Sequence, residues 1–256
     1  MSSSGLPNKT ASSFATPLVM FSVLATGIGQ SMTFTLLAPL GREVGFAEIQ
    51  VGLIISCSSL AFTLTSPLWG RKSDLWGRKP VLLLGMVGYT LGAALFAAVF
   101  TFGLKGLLSG MTLYLLVISA RVLMASLMSA APSAASAYIA DTTSAEQRVA
   151  GMGRLGAART LGAILGPATC GILATIGLLT PLYIGVAIAL VSTILLVIIL
   201  QEPPPSVPRS ATRQKLKLLD KRYFPYILVG FLTFLAFSMT SQTTGFYIQD
   251  RFALDG

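Results

Sequence analysis

The sequence predicts an all-α, polytopic membrane protein, and three observations carry that prediction. The first is composition: 54% of the 256 residues are hydrophobic and 11% are charged, with a mean hydropathy of +0.77, whereas soluble domains carry about 25% charged residues. The second is a series of apolar runs, each near the roughly 20 residues with which a helix crosses a bilayer. The third is the gathering of Lys and Arg in alternate connecting segments, the pattern that marks the cytoplasmic side.

From the N-terminus, residues 1–14 form a short tail with one basic residue, Lys9. The apolar run behind it is too long for a signal-peptide core and has no clear cleavage site, so it reads as the first span, about 15–40. Further spans follow at about 49–70, 80–102, 110–139, 153–175 and 180–200, joined mostly by short connections that make neighbours antiparallel. The stretch "QEPPPSVPRSATRQKLKLLDKRY", 201–223, interrupts the series, because its proline run cannot continue a helix and its basic tail resembles a membrane-surface segment. A seventh span follows at about 224–247.

The expected organisation is a cytoplasmic N-terminal tail (1–14), a six-helix transmembrane bundle (15–200), a cytoplasmic Pro-rich basic linker (201–223) and the first helix of a truncated C-terminal bundle (224–256). Setting Pro17 against Pro225 aligns the first and seventh spans as a faint repeat: each opens at proline, runs apolar and turns rich in Ser, Thr and Gln.

The third and sixth spans are apolar nearly all round and are expected to face lipid. The first, fourth, fifth and seventh carry Gln30, Ser31, Thr33, Arg121, Ser133, Arg159, Ser238, Ser241 and Gln242. Polar groups are costly in hydrocarbon, so these helices are expected to face an interior or a watery cavity. With the N-terminus in the cytoplasm, the inner segments hold thirteen Lys and Arg and the outer ones three, which sets that orientation.

Several functions find no support. The net charge of +9 belongs to loops between apolar spans, so nucleic acid is not an expected partner; membrane lipid is. Cys57 and Cys170 both lie in apolar runs and imply no disulfide framework. No metal-ligand spacing, no phosphate-binding G-x-x-x-x-G-K-[ST] and no nucleophile with a histidine base occurs, so neither an enzyme nor a cofactor is expected. Histidine is absent, and each of the nine acids lies in a loop or at a span end.

The turn "PLWGRKSDLWGRKPVLLLG" packs Arg71, Lys72, Asp74, Arg78 and Lys79 between the second and third spans. Gly70, Asp74, Gly77, Arg78, Lys79 and Pro80 read G-x-x-x-D-x-x-G-R-K-P, which resembles the loop signature of the major facilitator superfamily of secondary transporters. Its glycines are expected to permit a tight turn and close helix contact, and its cations to anchor the cytoplasmic boundary. The resemblance implies a conformational latch in which Asp74 pairs with Arg78, with Asp141 at the end of the fourth span completing the set.

In "GRLGAARTLGAILGPATCGIL", Gly153, Gly162, Gly166, Pro167 and Gly171 match the spacing G-x8-G-x3-G-P-x2-G-G of the superfamily's antiporter branches, with Cys170 in place of the penultimate glycine. Glycines four apart let helices approach closely, and Gly-Pro introduces a bend. Near mid-span, Arg121 is too costly to face lipid; the resemblance implies a cavity-facing arginine linked to proton coupling, and a structural arginine capping carbonyls of a neighbouring helix is the other reading. Met124 and Ala125 depart from the family's glutamine and glycine. "AYIADTTSAEQRVAGMGRLGAA", with Asp141, Glu146 and Arg148, resembles the drug-proton antiporters and the tetracycline-efflux group.

The resemblance thus implies a bundle of 3+3 repeats followed by an incomplete second bundle. The implied function is proton-driven efflux of a drug or other small molecule by alternating access, with a C-terminal half required for transport. Gln30, Arg121 and Gln242 are the cavity and coupling candidates, and a bacterial inner membrane is the expected location. A metabolite importer on the same fold, or a membrane protein that transports nothing and acts through partners, are the alternatives.

Overall fold

The computed structural model describes residues 9–203 and positions 225 and 229, with side chains from Ala15 onward apart from Ala145. But for those two positions, the seventh span, Gln242 and the linker beyond 203 lie outside the described residues.

Among the described residues, seven helices make six segments long and apolar enough to cross a membrane: α1 (Lys9–Glu43), α2 (Glu48–Trp76), α3 (Arg78–Leu104), α4 (Gly110–Met128) with α5 (Ala130–Thr142), α6 (Ala145–Ala174) and α7 (Thr180–Ile199). The helices outrun the apolar runs because backbone hydrogen bonding does not stop where hydropathy does. Thus α1 begins at Lys9, inside the predicted tail. Likewise α6 starts well before 153, where the Ser144 hydroxyl accepts the backbone N–H of Gln147 at 3.3 Å and caps the helix.

The fourth span is not one helix. Its continuity breaks at Ser129, whose N–H still reaches Ala125 O at 3.1 Å. Pro132 has no N–H to offer the Met128 carbonyl four residues back, which accounts for the interruption. The second span, expected to end at 70, continues to Trp76, so Gly70, Arg71, Lys72 and Asp74 ride on the last turns of α2 rather than in a loop. The break before α3 is one residue, Gly77, at φ +108°.

The third span corrects the lipid-facing expectation. More than half of its central stretch is buried, and α3 touches α4, α5 and α7. Its exposed large residues are Val87, Leu91, Leu95 and Phe102, with Leu104 at its end, while Val81, Leu82, Met86, Tyr89, Phe96 and Phe100 are buried. A helix apolar all round suits a protein core as well as lipid, and composition alone does not separate the two.

The core forms two main apolar groups. One joins Val19 and Val23 of α1 to Val81 and Met86 of α3, Ala134 and Tyr138 of α5 and Leu196 of α7. The other joins Leu36 and Leu40 of α1 to Ile54 of α2, Phe96 and Phe100 of α3 and Val117 of α4. A third, smaller group contains Tyr89, Met124, Met128 and Ala189.

Because lipid tails are as apolar as leucine, close packing and interhelical hydrogen bonds hold such a bundle. Gly27 of α1 lies against Gly162 of α6, and four residues further along both helices Ser31 lies against Gly166, so α1 and α6 run parallel. The Ser31 hydroxyl also donates to Gly162 O at 3.1 Å. Between α2 and the fourth span, Thr65 pairs with Ser129 at 2.8 Å, Ser66 with Ser133 at 3.0 Å, and Trp69 Nε1 donates to Ser126 O at 2.8 Å. Thr90 of α3 meets Thr193 of α7 at 3.2 Å.

Candidate functional site

At the α2–α3 break one guanidinium bridges two carboxylates. Arg78 Nη1 donates to Asp74 Oδ1 at 2.7 Å and Arg78 Nε to Asp141 Oδ2 at 2.7 Å; Nη1 also reaches the Ser73 hydroxyl at 3.1 Å. Asp74 and Arg78 are four residues apart across the break, and Asp141 comes from the last turn of α5, so the cluster joins α2, α3 and α5. The side chains of Arg78 and Asp141 are only 12% and 15% exposed, against 54% and 73% for Arg42 and Glu48 in the α1–α2 pair. Short, partly desolvated charge-assisted bonds are the strong kind. Removing Arg78 there strands two neighbouring carboxylates, whereas the Arg42–Glu48 pair is well solvated.

The backbone of the same arginine is held from a third direction. Glu202 Oε1 accepts the N–H of Arg78 at 2.7 Å and Oε2 accepts the N–H of Lys79 at 2.7 Å. These are the first amide donors of α3, which has no side-chain cap of its own at Gly77; Pro80, next in line, has none to satisfy. The sequence reading placed Glu202 in the linker and missed it. The available signals were a helix start without Ser, Thr, Asp or Asn, and an acid just beyond the last span.

The other predicted members separate by environment. Gly70 has open space where a Cβ would stand, so close helix contact is not its role here. The Lys79 ammonium reaches Val197 O at 3.5 Å. Lys72 lies over Trp69 and Trp76, 4.8 and 4.6 Å from their ring centres.

On α6, Gly162 and Gly166 pack against α1: a Cβ on Gly162 would stand 2.8 Å from Leu24 O and 2.9 Å from Gly27 Cα, and one on Gly166 would overlap the Ser31 hydroxyl. Gly153 and Gly171 have nothing within 4 Å, and Pro167 is exposed. Five residues that share one spacing therefore divide into a packed pair and an open three.

Arg121 is 2% exposed. Its guanidinium lies 4.8 Å from the ring centre of Phe34 on α1 and 5.9 Å from that of Phe96 on α3, with Nη1 3.9 Å from Met124 Sδ. Nε is buried without a hydrogen-bond partner. Among the described residues no ion pair includes Arg121, so aromatic faces, rather than a carboxylate or a row of carbonyls, surround this charge. Phe34 is itself 38% exposed. Gln30 is half-buried one turn earlier on α1.

Residues 19–256 match the family model described as Major Facilitator Superfamily. "Multidrug resistance protein 2" of Bacillus subtilis is 28% identical over 207 residues, covering 77% of this chain and 48% of that protein. "Tetracycline resistance protein, class B" of Escherichia coli is 30% identical over 184 residues, covering 70% and 42%. "Quinolone resistance protein NorA" of Staphylococcus aureus is 22% identical over 232 residues, covering 89% and 56%. The crystal structure of the human organic anion transporter MFSD10 (TETRAN) superposes with a TM-score of 0.59 at 22% identity, over 78% of this chain and 51% of that one, a likeness of fold. The chain spans about half the length of the curated relatives it matches.

Proposed function

We propose, from the premise that this chain belongs to the Major Facilitator Superfamily, that it forms one half of a secondary transporter exporting drug-like small molecules in exchange for protons. Residues 15–200 are its first bundle, 201–223 its cytoplasmic linker and 224–256 the start of a second bundle, with the N-terminus in the cytoplasm of a bacterial inner membrane. Substrate binds near the midplane between two six-helix halves, and a second half is required for transport.

The observation that carries this reading is Arg78 held between Asp74 and Asp141. Such a cluster closes one end of the bundle when intact and releases it when α2, α3 and α5 part. Two charge-assisted bonds at about 1.5 kcal/mol each favour the closed form by about 3 kcal/mol, roughly 100-fold. That is strong enough to hold a state and weak enough for substrate binding to overcome. Arg121, buried at mid-span with its guanidinium 4.8 Å from the Phe34 ring centre, is the coupling candidate of this reading.

The direction of transport rests on the spacing of Gly153, Gly162, Gly166, Pro167 and Gly171, and on relatives named for resistance to multiple drugs, tetracycline and quinolones. The test is drug accumulation in a sensitive bacterial host expressing the protein from its whole gene. Tetracycline or a quinolone should accumulate less than in the vector control, and collapsing the proton gradient should remove the difference. Equal accumulation across the panel would refute drug export.

A further inference from the structure

We propose that Glu202 is a positioning residue for this latch: its carboxylate fixes the first turn of α3 so that the Arg78 guanidinium meets Asp74 and Asp141 together. The proposal rests on the latch reading above.

Arg78 is gripped by main chain and side chain from opposite directions. Its N–H and that of Lys79 each donate to a separate oxygen of Glu202 at 2.7 Å, while its guanidinium spans the two aspartates. An anion at a helix N-terminus gains from both the unpaired amides and the helix dipole.

Gly77 makes room for this contact: a Cβ there would overlap Glu202 Oε1 and stand 2.8 Å from Cδ, and the φ of +108° disfavours any other residue. The segment bearing Glu202 is also tied down. Tyr138 of α5 donates its hydroxyl to Gln201 O at 3.1 Å, Lys79 Nζ reaches Val197 O at 3.5 Å, and Pro203 is buried. With the first turn of α3 anchored to the exit of α7, Arg78 cannot swing toward one aspartate at the expense of the other. Without the anchor that turn is free to fray, and both side-chain bonds weaken with it.

The test places a single cysteine at Ser73, which is 1% exposed and bonded to Arg78, in the protein expressed from its whole gene with every native cysteine, Cys57 and Cys170 included, replaced by alanine. The rate of maleimide labelling in detergent reads how often the latch opens. Glu202→Ala should raise that rate about tenfold, and Glu202→Asp should restore most of the protection. A control cysteine at Val117, fully buried on α4 in the core group away from the latch, should label at an unchanged rate.

Asp74→Asn separates the two readings. If it accelerates labelling while Glu202→Ala does not, Glu202 has no positioning role and the latch stands. If neither variant accelerates labelling, both readings fall. If Glu202→Ala accelerates labelling at 73 and 117 alike, the residue merely supports the fold and the proposal is overturned. Should Glu202→Ala fail to accumulate, Glu202→Gln replaces it under the same criteria.

Discussion

Alanine placed at Gly162 should loosen the bundle, whereas alanine at Gly153 or Gly171 should not, although all three share one sequence pattern. At Gly162 the new Cβ meets backbone: Leu24 O at 2.8 Å and Gly27 Cα at 2.9 Å. Backbone cannot rotate aside as a side chain can, so α1 and α6 must part until carbon contacts return to about 3.5–4.0 Å, a shift of about 0.6–1 Å that forfeits a quarter to a half of each dispersion contact. With on the order of 20 atom pairs across the seam at about 0.15 kcal/mol each, that loss is about 1–1.5 kcal/mol. Losing the 3.1 Å bond from Ser31 to Gly162 O adds about 0.6 kcal/mol. The expected cost is therefore about 2 kcal/mol, or about 4–8 °C in Tm for a chain of this size. Gly153→Ala and Gly171→Ala meet nothing within 4 Å and should be neutral or stabilising by up to about 1 kcal/mol through helix propensity. Thermal unfolding in detergent reads the contrast; equal Tm values for Gly162→Ala and Gly153→Ala would refute the packing argument.

Other variants test other parts of the account. Arg121→Met replaces a buried charge that has no ion-pair partner among the described residues with an apolar side chain, so Tm should hold or rise while proton-driven efflux is lost; normal efflux would remove the coupling role. Phe34→Ala takes away the nearer aromatic face, 4.8 Å from the guanidinium, and should cost about 1 kcal/mol of stability. Asp141→Asn should cost about 1.5–2 kcal/mol, the loss of one charge-assisted bond to an arginine only 12% exposed. Glu48→Gln, which breaks a pair exposed by 54% and 73%, should change stability by less than about 0.5 kcal/mol. Similar values for those two, measured by chemical unfolding, would show that burial does not decide the strength of these pairs.

The six spans of the first bundle were readable because apolar length and Lys/Arg segregation are local signals that a bilayer imposes directly. The meeting of Asp74 with Arg78 came from the family resemblance and not from periodicity, since the chain breaks at Gly77 between them. What escaped was long-range or ambiguous. Glu202 reaches an amide 124 positions away, and although an uncapped helix start and an acid beyond the last span are both visible, nothing local joins the two. The buried side of α3 was hidden because valine, leucine and phenylalanine suit lipid and core equally. Ser144 did announce the start of α6 by its spacing to Gln147, but the apolar run that defined the span began later. The division of the α6 glycines depends on which helix lies opposite, which no spacing within α6 records.

The most direct measurement of the central claim is proton-gradient-driven transport by Asp74→Asn and Asp141→Asn, each made in the protein expressed from its whole gene and reconstituted in liposomes. The account predicts normal insertion and folding, with transport below about one-tenth of the parent rate, because each change removes one of the two charge-assisted bonds that set the closed state. Transport at the parent rate by either variant would contradict it.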